Sequence, residues 1–197
     1  MISKLISKND TTQVTKYVVF TFIFMVFCAF ETSFWPNLIG FIPAPQFWLL
    51  FVFYICVRWS ERWNIFFLYL LGFIVTLYSM MPLKMAWFSL LIIHAIIYFL
   101  KNRIHSTSVV TFSLLSLAMS VVYATVYIAL SYVFEKTPTS LIPLERFISF
   151  GLNFLVSVPV YIFLEKLNSF FKTDIEVNEN KTIKDIGQVG HIQGDHF

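Results

Sequence analysis

Charge is scarce in this chain. Only 13% of its 197 residues are Asp, Glu, Lys or Arg, against roughly a quarter in a water-soluble domain, and that shortage excludes water as the main solvent. The 14 basic residues against 11 acidic ones leave a net charge of +3, and the basic residues sit singly at segment ends. A nucleic-acid footprint would cluster them on one face, so no nucleic-acid partner is expected. There are two cysteines, Cys28 and Cys56, both inside apolar runs and without metal-ligand spacing. They read as small buried hydrophobes, not as a disulfide framework or a metal centre. The chain has no glycine-rich phosphate loop, no HExxH, no GxSxG and no pair of intramembrane carboxylates, and each polar residue within an apolar run stands alone on its segment. Catalysis needs nucleophile, base and orienter within hydrogen-bond reach. The expectation is therefore a non-enzyme with no cofactor and no metal.

What the chain has in abundance is apolar sequence, at 58%. Apolar stretches cover Tyr17 to Phe34, Phe47 to Val57, Trp63 to Ser79, Leu83 to Leu100, Val109 to Phe134 and Phe147 to Phe171. In lipid, every backbone polar group must be bonded within a helix or a closed barrel. Without the ten-residue alternation of a barrel, these runs predict an all-α, polytopic membrane bundle of about six transmembrane helices. The basic start resembles a secretory signal, but the first run is longer than a signal's apolar region and lacks a small-x-small cleavage site, so it reads as a retained anchor. The second run is short: eleven residues make only about 17 Å of helix, against a hydrocarbon core of about 30 Å. Extending it back to Phe41 gives the missing length and places Pro43 and Pro45 in the first turn, where proline is tolerated. The alternative is a re-entrant half-helix.

Orientation follows from cations. With six spans and the N-terminus inside, Lys4, Lys8, Lys16, Arg58, Arg62, Lys101, Arg103, Lys166, Lys172, Lys181 and Lys184 are cytoplasmic, and only Lys84, Lys136 and Arg146 lie outside. This positive-inside bias predicts an N-in/C-in topology. Tryptophans favour the headgroup level, which places Trp35, Trp48 and Trp87 at the outer boundary and Trp59 and Trp63 at the inner one. Three regions result: a cytoplasmic N-terminal segment (1–16), the helical bundle (17–171), and a polar tail (172–197) with too little apolar content for a core, read as a flexible cytoplasmic tail. His191 and His196 in that tail read as solvated.

Three polar residues fall inside spans and are candidate sites. Glu31 is the only carboxylate deep in a predicted span, about 21 Å along its helix from the inner end. An intramembrane acid is a functional candidate by default; it could reach water at the outer headgroups, bind a neighbouring helix, or carry a proton or ion. His94, near the centre of the fourth run, reads as a structural histidine bonded to another helix or as a ligand or proton site. Asn153 lies between Ser149 and Ser157 at spacing four, making a polar stripe on the sixth helix. On the fifth, Ser113, Ser116, Ser120 and Ala124 recur every three or four residues. Small residues let membrane helices approach closely, either within the bundle or against a partner subunit.

From Tyr17 to Arg103 the order of features resembles the MreD family of the bacterial rod-shape machinery. The likeness rests on a polar residue late in the first span (Glu31), Pro36-Asn37-Leu38, Pro45-Gln46 opening an apolar run, Gly72-Phe73 in the third span, Pro82-Leu83 turning into the fourth, and the basic loop Lys101 to Arg103. The chain departs from the family pattern in having no Asp late in the third span and Lys84 where a Gly usually follows Pro-Leu. The resemblance implies a non-catalytic scaffold in the bacterial cytoplasmic (inner) membrane. It would work with an MreC-like membrane protein and, indirectly, with MreB filaments and the RodA and penicillin-binding synthase of lateral peptidoglycan synthesis. A competing expectation is the substrate-capturing membrane subunit of an energy-coupling-factor vitamin transporter, a class of similar size and helix number, in which Glu31, His94 and Asn153 would converge on a cavity. A third is a small proton-coupled carrier or channel, for which one carboxylate and one histidine are thin support.

Overall fold

The structure, a computed structural model, describes residues 8–40, 42–59, 64–79, 81–101, 108–135 and 143–191, with side chains placed within 13–171. Phe41, Arg62, Trp63, Arg103, Lys136 and His196, each given a position above, lie outside the described residues, as do most of the N-terminal segment and the last six residues. All described elements are helical: α1 (Lys8–Ala29) runs through a π-helical turn (Phe30–Phe34) into the short α2 (Trp35–Leu38). There follow α3 (Phe47–Arg58), α4 (Asn64–Ser79), α5 (Leu83–Lys101), α6 (Val109–Phe134) and α7 (Pro143–His191).

Four helical stretches, Gln13–Leu38, Leu83–Leu100, Val109–Phe134 and Pro143–Phe171, are long and apolar enough to cross a membrane, and α3 and α4 are shorter apolar helices. The chain is a multi-pass helical membrane protein. Its described part divides into two compact units, one of residues 21–164 and the other of the chain ends, up to Phe20 and from Glu165. The smaller unit packs Phe20 on Phe171 at 6.4 Å between ring centroids and buries Lys16 and Asn168.

The larger unit is organised around α3. Every residue from Trp48 to Val57 is buried, as expected of a helix that is apolar on all sides. Phe24 and Phe27 of α1 lie against Phe51, Tyr54 lies against Phe112 of α6 and Tyr161 of α7, and α4 and α5 flank α3 as well. The α4 and α5 hairpin is close because Gly72 has no side chain. A Cβ there would stand 2.7 Å from Trp87 Cδ1, and Trp87 Nε1 donates to the Tyr69 carbonyl at 3.2 Å.

One expectation is corrected: α3 does not extend back to Phe41, because it begins only at Phe47 and residues 43–46 carry no helix. A residue that precedes proline is pushed out of the α region, and here both Ile42 and Ala44 do so, so two prolines at spacing two make a strap instead of a first turn. Twelve helical residues span about 18 Å, and five extended ones add up to about 17 Å. The helix α7 runs on through the segment read as a tail, as far as His191. There is no proline after Pro159 in that helix, and extending an existing helix adds one hydrogen bond per residue with no new nucleation cost.

Candidate functional site

The strap creates a problem that the rest of the bundle must solve. A helix leaves its first N–H groups without intrahelical partners, and non-helical backbone at membrane depth is tolerated only where protein satisfies it. The start of α3 is buried, so its donors need acceptors from elsewhere in the fold.

Asn153 of α7 supplies one. Its Oδ1 accepts from the Gln46 backbone N–H at 2.7 Å, while its Nδ2 donates to Gln46 Oε1 at 3.3 Å and to Ser120 Oγ of α6 at 3.1 Å. Asn153 is fully buried, so every bond it makes replaces one it would otherwise lose to water. Glu31 supplies the next. Its carboxyl accepts from the backbone N–H groups of Phe47 and Trp48 and from the Trp48 indole. The Phe47 N–H also reaches the Pro45 carbonyl, and Leu49 and Leu50 return to the Gln46 carbonyl. At the other end of the strap, Trp35 Nε1 donates to the Ile42 carbonyl at 3.1 Å. One buried atom keeps no partner here, Glu31 Oε2.

The aromatic surround excludes water from this joint. Trp48 meets Tyr123 of α6 edge-on at 5.3 Å, and Phe47 meets Phe27, Phe30 and Trp35 at 5.8, 5.3 and 6.4 Å. Trp48, assigned above to the outer headgroup level, is packed within the bundle, with 6% of its surface exposed.

Glu31, Asn153 and Ser120 thus meet at the start of α3, whereas His94 does not join them. His94 Nδ1 lies 3.6 Å from Cys56 Sγ, in the last turns of α3. The small-residue stripe of α6 faces the interior. Ser113, Ser116, Ser120 and Ser131 are at most 3% exposed and Ala124 is 7% exposed, and the hydroxyls donate to carbonyls of their own helix. Among the described residues no group of three His, Cys, Asp or Glu side chains could hold a metal ion.

Gln46, Trp48 and Tyr123 are the participants that sequence reasoning did not single out for this role. The usable signal was Pro45-Gln46 directly before a run apolar on every side, since a helix start buried on all faces requires polar groups from other segments.

An open groove of about 570 Å³ lies on α1, the π turn and α2, lined by Val26, Ala29, Ser33, Phe34 and Asn37 among others. No family model, no curated protein and no solved structure matches the chain.

Proposed function

We propose that this protein is a non-catalytic scaffold of the bacterial cell-shape machinery, a member of the elongasome in the cytoplasmic membrane that resembles MreD. The observation that carries this reading is where the intramembrane polar groups go. Glu31, Asn153 and Ser120 are engaged with the backbone and side chains at the start of α3, which fixes one arrangement of four segments. Transport chemistry would turn such groups toward a ligand cavity or line them along a path. A helical bundle with little aqueous surface presents helix faces and short loops to its partners, which suits a component that positions an MreC-like protein and, through it, MreB filaments and the RodA and penicillin-binding synthase. The run of motifs from Glu31 to Arg103 supports the same assignment.

The test is affinity purification of the tagged chain from bacterial membranes, in parallel with vitamin binding to the purified protein in liposomes. The expected result is co-purification of an MreC-like protein and no saturable vitamin binding. Micromolar vitamin binding in the absence of any cell-shape partner overturns the proposal in favour of a transporter subunit. Within the scaffold reading, Glu31→Leu lowers recovery of the MreC-like protein at normal expression, because it loosens the joint that sets the positions of the segments.

A further inference from the structure

The π-helical turn at Phe30–Phe34 closes with the Trp35 N–H bonded to the Phe30 carbonyl, five residues back. Such turns are rare and insert one extra residue into an α-helix. Two side chains serve carbonyls around it: Thr32 Oγ1 donates to Cys28 O at 2.9 Å and Asn37 Nδ2 to Ser33 O at 2.7 Å. Glu31 is the second residue of the turn, and its carboxyl is the acceptor for the first N–H groups of α3.

We infer that the π turn is a register device. It is held open by the bond between Glu31 and the start of α3, and it couples that cap to the rotational setting of α2 about the common helix axis. The physical basis is the winding of the helix. Converting one π turn to α turns the chain beyond it by about 100° and lengthens it by about 1.5 Å. Such a change would swing Trp35 off the Ile42 carbonyl and reorient Ser33, Phe34 and Asn37, which line the groove on α1. A locally unfavourable conformation persists where its surroundings over-determine it, and in this fold the surrounding contact is the cap. Coupling of this kind is reciprocal, so whatever grips α2 also biases the start of α3. The device is independent of the scaffold reading, because it follows from the turn and the cap alone.

The test is a nitroxide scan of residues 21–29 and 33–39 in nanodiscs, read as the phase of the helical period in oxygen accessibility. In the unsubstituted protein the second segment is offset from the first by about 100° relative to a continuous α-helix of 3.6 residues per turn. Glu31→Leu removes the acceptor and Glu31→Asp shortens its reach by one methylene, and in both the offset disappears. Glu31→Gln retains an acceptor oxygen and keeps the offset. Asn153→Leu, which removes only the neighbouring cap, keeps it too. An offset that survives in Glu31→Asp, or that is absent from the unsubstituted protein, overturns the inference. Should Glu31→Leu fail to assemble, the Asp and Gln variants decide between the outcomes.

Discussion

The two ends of α3 are held in opposite ways. At its start, Asn153 of α7, itself bonded to Ser120 of α6, accepts from the Gln46 N–H, and a carboxyl from the π turn meets Phe47 and Trp48. Towards its other end the Trp59 N–H returns to the Ile55 carbonyl at 2.9 Å. Across helices, Tyr54 Oη donates to the Leu164 carbonyl at 3.1 Å, and Cys56 Sγ sits 3.6 Å from His94 Nδ1. The difference teaches where sequence-distant polar pairing is required. It is required where proline keeps the start of a buried helix from following on from helical backbone.

This contrast can be broken by substitution. Asn153→Leu should have the largest effect, because it strands the Gln46 N–H and Oε1 in the interior at about 1–3 kcal/mol for each unsatisfied group. Unfolding in a denaturing-detergent titration should shift accordingly, and a shift no larger than that of a lipid-facing substitution such as Phe99→Leu would count against the cap. Glu31→Leu should come close behind, stranding the Trp48 N–H and indole at about 1–3 kcal/mol for each while the Phe47 N–H keeps the Pro45 carbonyl, with Glu31→Gln recovering a large part of the loss because an amide oxygen still accepts. Tyr54→Phe at the far end removes one neutral hydrogen bond and should cost about 1 kcal/mol. His94→Phe should be the mildest, below about 1 kcal/mol, since the imidazole is half-buried and a sulfur contact is weak. If Tyr54→Phe or His94→Phe proved more damaging than Asn153→Leu in the same titration, the asymmetry drawn between the two ends of α3 would be reversed.

Much of the helix layout was legible because lipid leaves few choices. The run from Val109 to Phe134 is α6 to the residue, and Leu83 is the first residue of α5. Apolar length reports a span, and the polar or turn-forming residues around it report its ends. The start of α3 was not legible in the same way, because composition says that a segment is buried without saying which group will meet its donors. Gln46 and Asn153 are 107 residues apart, and no local pattern joins them. Glu31 and Asn153 could both be picked out as intramembrane polar residues, but that they serve the same helix end could not. The π turn left no mark in composition at all, since its cause lies on another helix.

The shortness of α3 has a consequence for biogenesis. A twelve-residue apolar helix is below the length at which a segment partitions stably across a bilayer unaided, and the proline strap before it exposes backbone groups that lipid cannot satisfy. The strap and α3 therefore cannot settle as an independent hairpin while the chain emerges. They must wait for α6 and α7 to arrive, so the second half of the polypeptide completes the insertion of its first third.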